Sequence, residues 1–161
     1  MRPGAFAPAA ARAALAAVLA FAPPLAGSAD FRVTAEAPAV LYDVPSAKGR
    51  RLFVYGRDVP VEVLTSIEGW TKVRDATGTI GWLSAKDLAD KRMLLVRAAV
   101  ADVRANPDDS AAVVFRAEQN VLLELAESAT SPATTSAPGW VKVRHRDGQI
   151  GYVRLAQVFG L

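Results

Sequence analysis

Residues 69–83 read GWTKVRDATGTIGWL and residues 139–153 read GWVKVRHRDGQIGYV. Laid over one another at a spacing of 70, they share Gly, Trp, Lys, Val, Arg, Gly, Ile and Gly in register; the closing pair changes only from Trp82-Leu83 to Tyr152-Val153. A match of this density at one fixed spacing is the signature of an internal repeat, and it decides the architecture before any other feature is weighed. Within each copy, Trp70, Lys72 and Arg74 alternate with Thr71 and Val73, the period of two that gives a strand one dry and one wet face. Asp147-Gly148 and Asp75-Ala76-Thr77-Gly78 mark the turn that follows, because Gly accepts a positive φ at little steric cost. Gly81 and Gly151 fall inside the next strand, where a glycine marks a bulge or a close approach of two backbones.

Working outward, Val61-Glu62-Val63-Leu64 lies against Leu122-Leu123-Glu124-Leu125 at a spacing of 61, which implies a nine-residue insertion in the second copy between Glu127 and Gly139. That stretch, SATSPATTSAP at 128–138, has no large apolar side chain and reads as an exposed loop. Ser84 with Asp87 reads as a capped single helical turn ending in Leu88 and matched by Leu155 to Val158. Nothing predicts a long helix. Short strands in units of about sixty residues fit a small barrel or two orthogonally packed sheets. The expected fold is all-β: two tandem barrels at 31–92 and 93–161, docked because Lys91-Arg92 and the following Met93-Leu94-Leu95-Val96 leave almost no linker.

The first thirty residues have a separate explanation. Arg2 and Arg12 supply a positive region, Ala13 to Phe21 an apolar run, Pro23-Pro24 a helix break, and Gly27-Ser28-Ala29 a small-residue cleavage site. This reads as a signal peptide over 1–29, because a membrane span needs roughly 20 consecutive apolar residues. The expectation is an exported chain, periplasmic or secreted, without stable membrane insertion once the leader is gone. Without Arg2 and Arg12 the formal charge falls from +3 to +1, so neither nucleic acid nor an anionic membrane is an expected partner. The chain has no cysteine, so neither a disulfide nor a lipidated cysteine is available and stability must come from packing.

An early Val-Leu-Tyr or Val-Arg strand, then Gly-Trp-x-Lys-Val, a Gly turn, and Gly-Trp-Leu or Gly-Tyr-Val, together resemble the bacterial SH3-like domain of exported proteins, twice over. The second copy departs from the pattern at Tyr152 and in its long loop. The resemblance implies a small barrel of a kind that often targets or regulates wall hydrolases, and here no hydrolase is fused to it.

No catalytic set is legible. Thiol chemistry is excluded, and a Ser-His-Asp arrangement would need the single histidine, His145, set between Arg144 and Arg146 where two cations disfavour its protonated form. One imidazole does not make a zinc site. Asp108-Asp109 after Asn106-Pro107 reads as a turn. The expectation is a protein that is not an enzyme, takes no cofactor and holds no metal. Binding then falls to aromatic residues, which give large contact area for little lost side-chain entropy. In the first copy these are Tyr42, Tyr55, Trp70 and Trp82. Tyr42 alternates with Leu41 and belongs outside; Trp82 and Tyr152 fit the barrel interior better; Trp70 and Trp140 fit either a ligand-facing place or packing beneath the turn. In the second copy Arg104 stands for Tyr42 and Arg116 for Tyr55, giving either a cationic groove suited to carboxylates or two solvated arginines. The candidate ligand-binding residues are therefore Tyr42, Tyr55, Trp70, Arg104, Arg116 and Trp140. The expected function is a non-catalytic module for cell-wall peptidoglycan peptide, with an adaptor for another exported protein as the alternative.

Overall fold

The computed structural model describes residues 29–35, 38–126 and 138–161; the expected leader lies outside them apart from Ala29, and the Ser/Thr/Ala/Pro-rich stretch apart from Pro138. The first module holds β1 (Asp30–Thr34), β2 (Ala39–Tyr42), β3 (Arg51–Tyr55), β4 (Pro60–Ile67), β5 (Trp70–Arg74), β6 (Ile80–Ser84) and β7 (Leu88–Ala89). The second holds β8 (Met93–Val96), β9 (Val100–Arg104), β10 (Val113–Glu118), β11 (Leu122–Leu125), β12 (Trp140–Arg144), β13 (Ile150–Arg154) and β14 (Val158–Phe159). The sheets run β3-β2-β6-β5-β4-β1-β7 and β10-β9-β13-β12-β11-β8-β14. These are the same order in the two copies, so the sequence repeat is a repeat of topology.

Alternation builds one core per module. Leu41, Val61, Val73 and Leu83 are fully buried in the first, and Val103, Leu123, Val143 and Val153 in the second. Leu88 of β7 and Tyr55 of β3 pack into one cluster although their strands stand at opposite ends of the sheet order. The sheet must therefore curl until its two edges share an interior, as a small barrel does. The crossing of β6 over β2 explains Gly81. A Cβ there would sit 2.6 Å from Leu41 Cγ and 2.8 Å from the Tyr42 carbonyl oxygen, and one at Gly151 would sit 2.7 Å from the Arg104 carbonyl oxygen.

The register corrects two alignments read from the sequence. Val61 pairs with Arg32 and Leu123 with Leu94, while Glu62 faces Arg74 and Glu124 faces Arg144. Both pairings place the copies 62 apart in this region, so the insertion is eight residues. Likewise Tyr55 pairs with Ala39 and Ala117 with Ala101, whereas Val54 pairs with Val40 and Arg116 with Asp102. The counterpart of Tyr55 is therefore Ala117, and Arg116 replaces Val54. The single helical turns form at Ala85–Asp87 and Leu155–Gln157, but neither Ser84 nor Arg154 caps with its side chain. Instead the Ala85 and Leu155 amides donate to the Gly69 and Gly139 carbonyls at 3.0 and 2.9 Å. Asp108 forms the expected turn: the Ser110 amide and hydroxyl donate to it at 2.8 and 3.0 Å and hold its carboxyl below the usual range.

The modules touch. Phe31 of β1 meets Phe159 of β14 edge to face, with ring centres 5.2 Å apart.

Candidate functional site

The outer face of the first module is set by one line of pairing. Lys72 faces Trp82 across β5 and β6, Trp82 faces Tyr42 across β6 and β2, and Trp70 faces Ser84. Because Gly81 and Leu83 turn into the core, Trp82 between them turns outward. It is half-buried on the surface rather than in the interior expected for it. Tyr42 and Trp70 meet at right angles with centroids 5.6 Å apart, and Lys72 Nζ stands 5.8 Å from the Trp82 ring centre, within cation–π range. The result is a face of three half-buried aromatic rings and one ammonium.

Tyr55, expected on this face, is a correction. It is 5% exposed, and its hydroxyl donates to Asp75 Oδ2 at 2.9 Å inside the barrel. Asp75 Oδ1 accepts from the Thr77 amide, the Thr77 hydroxyl and the Thr79 amide at 2.9, 2.7 and 2.9 Å. Burial is the largest single influence on Asp75 and pushes its carboxyl up, but the hydrogen bonds from Thr77, Tyr55 and Thr79 together outweigh it and leave the group below its ordinary range. Burial first, and the bond and charge of Asp75 next, push the Tyr55 phenol well above the ordinary tyrosine value. This pair fastens β3 to the end of β5 and presents no surface to a ligand.

In the second module Tyr152, expected in the interior like Trp82, is likewise half-buried on the outer face with Lys142 Nζ 5.8 Å from its ring centre, but the part of the face around Trp140 is closed. Arg154 stands where the first module has Ser84; its guanidinium lies 4.4 Å from the Trp140 ring centre and is held by Asp109 of the β9–β10 turn. Trp140 is thereby reduced to 4% exposure: it lies on the outer face, packed beneath Arg154 and the β9–β10 turn, and is not open to a ligand. Arg104, in the place of Tyr42, donates to the Ala111 carbonyl at 2.8 Å and to Asp102 at 3.0 Å. Arg116 donates to the other oxygen of Asp102 at 3.1 Å. The two arginines do come together, but around a carboxylate where the first module has Val40, so both guanidinium groups are engaged by Asp102 and only one net positive charge remains. His145 replaces Asp75, with its ring centre 5.5 Å from that of Phe115 and Nδ1 3.1 Å from Asp147.

Comparison with protein families places two matches on these two barrels: the model described as the bacterial SH3 domain fits residues 35–90 and again 98–160. The chain belongs to the bacterial SH3 domain family. Comparison with curated proteins gives no match. Among solved structures, NlpC1 from Trichomonas vaginalis is 17% identical with a TM-score of 0.33, over 89% of this chain and 50% of its own. NlpC2 from the same organism is 16% identical with a TM-score of 0.33, over 80% and 46%. An NlpC/P60 family protein from Bacillus cereus is 14% identical with a TM-score of 0.35, over 81% and 56%. The tandem SH3 chain thus spans about half the length of each of these structures. Among its described residues no helix is long and apolar enough to cross a membrane. Of the two SH3 domains, the first carries the open aromatic face.

Proposed function

We propose that this chain is an exported, non-catalytic binding module that engages cell-wall peptidoglycan peptide through the outer face of its first SH3 domain. The observation that carries the reading is the contrast between copies: Tyr42, Trp70 and Trp82 are half-buried and uncapped by any arginine, while in the second domain Arg154 and Asp109 cover Trp140, Arg104 replaces Tyr42, and of the three positions only Tyr152 keeps a half-exposed ring. Perpendicular rings make two walls against which an extended peptide packs its side chains, and Lys72 supplies a cation for a stem carboxylate. Arg104 and Arg116 contribute through Asp102 to the shape of the second domain rather than to a ligand.

The test is retention of the purified protein on insoluble peptidoglycan sacculi. Tyr42→Ala and Trp70→Ala should each reduce retention at least tenfold with the fold intact by circular dichroism. Retention unchanged in both variants would place the contact elsewhere. A second reading rests on β3, an edge strand that exposes Phe53 at 55% and Val54 at 53%. Such an edge accepts an extended segment of another exported protein. Recovery of a protein partner that is lost in Phe53→Lys, without wall retention, would select it.

A further inference from the structure

At the junction of the modules lies a cleft of about 570 Å³, within the roughly 300–1,000 Å³ of small-ligand sites. Its apolar lining is Met93, Val121 and Leu122; its charged lining is Asp58, Lys91, Glu124, Arg144 and Arg146, and the remaining polar lining is Asn120 and His145. The first module shows what this corner is without a ligand role. There Arg74 is fixed to Glu62 by two hydrogen bonds of 2.8 Å, the next residue is the acid Asp75, and Ala76 follows.

The second copy has changed all three features. Arg144 and Glu124 stand 4.0 Å apart, beyond hydrogen-bond reach; Asp75 has become His145; Ala76 has become Arg146, which is 88% exposed. Asp147 replaces Thr77 and stands 3.1 Å from His145 Nδ1 and 3.8 Å from Arg146 Nε, so with histidine neutral the corner passes from one net negative charge to none, while it gains a second, largely exposed guanidinium. Asp58 and Lys91 on the opposite wall neutralise one another. The change is not needed for folding, since the first copy builds the same strands without it. It places guanidinium groups beside an apolar floor at the point where the domains meet.

We infer that the junction cleft is a second binding site, for the carboxylate end of a short peptide with an apolar terminal side chain. The carboxylate meets Arg144 and Arg146 at the rim, and the side chain lies on Val121 and Leu122. The site is separate from the aromatic face of the first domain and does not depend on the function proposed for that face.

His145 is the chain's single histidine, so its ring protons give an unambiguous NMR reporter in the cleft wall. The probes are N-acetyl-alanyl-leucine, its C-terminal amide, and inorganic phosphate, added to the whole protein at constant pH. The free acid should shift the His145 signals saturably, the amide should bind at least tenfold more weakly, and Arg146→Gln should weaken the acid about tenfold with the spectrum otherwise retained. Equal response to acid and amide, an unchanged affinity in Arg146→Gln, or no saturable shift would overturn the site. Phosphate binding as tight as the acid would overturn the peptide assignment.

Discussion

Tyr55→Phe removes one oxygen from the first barrel and leaves its shape intact. The phenol donates at 2.9 Å to a carboxylate that is 8% exposed, so the variant leaves Asp75 Oδ2 without that donor in a place water barely reaches. A hydrogen bond to a charged acceptor is worth about 1.5–3 kcal/mol, and we expect a loss near 2 kcal/mol, or roughly 10 °C in the melting temperature of a module this small. The pH dependence is more diagnostic than the magnitude. Asp75 has a depressed folded pKa, so its contribution is present above the ordinary carboxylate value of 3.8 and drains as pH falls through the lower folded value. Tyr55 has a raised folded pKa, so its contribution is complete below the ordinary value of 10.0 and drains as pH rises beyond it. The stability gap between wild type and variant should therefore be flat between about pH 4 and pH 10 and close at both ends. Urea melts followed by tryptophan fluorescence measure it, because Trp70 and Trp82 both lie in this module. A gap below about 0.5 kcal/mol, or one that stays constant to pH 11, refutes the account of the pair.

Gly81→Ala should destabilise the first module by about 3 kcal/mol, since the new methyl meets Leu41 and backbone; a melting temperature within a degree of wild type would contradict the crossing geometry. Arg154→Ser should uncover Trp140, and acrylamide quenching in a background with Trp70 and Trp82 replaced by Phe should rise toward that of an exposed indole. The reciprocal Ser84→Arg with Ala47→Asp should close the first face and reduce wall retention while leaving the melting temperature within a few degrees. Phe159→Ala should loosen the meeting of the modules, giving independent rotational correlation times by NMR relaxation in place of a single one.

Much of the fold was legible because the Gly-Trp repeats fix strand, turn and strand within fifteen residues, and the alternation around Val73 and Val143 names the inner face. The one-residue error upstream has a plain cause. At a spacing of 62, Val61-Glu62-Val63 lies over Leu123-Glu124-Leu125 with the acids matched, so the sequence itself carried the better alignment. The end matches of Val61 with Leu122 and Leu64 with Leu125 at 61 masked it, and the pairing of Glu62 with Arg74 and Glu124 with Arg144 decides it. Trp82 was recoverable from period two, since Gly81 and Leu83 inside require it outside; its size argued the other way. Tyr55 was not recoverable, because the partner that draws its hydroxyl inward lies 20 residues away across the barrel. The covering of Trp140 was equally hidden. Arg154 and Asp109 stand 45 residues apart, and neither has a charged counterpart at Ser84 or Ala47 in the first copy.

The edge-to-face meeting of Phe31 with Phe159 also brings the first strand of the folded region beside the last, and Ala29, Asp30 and Leu161 line one small cleft there. Any polypeptide attached before Asp30 and any attached after Leu161 would leave from the same side. A short bridge could join these ends and new ones could be cut at the exposed Asp108-Asp109-Ser110 turn, giving a circular permutant with both cores unchanged. For the same reason the pair could be spliced into a surface loop of a host protein without prising the host's own strands apart.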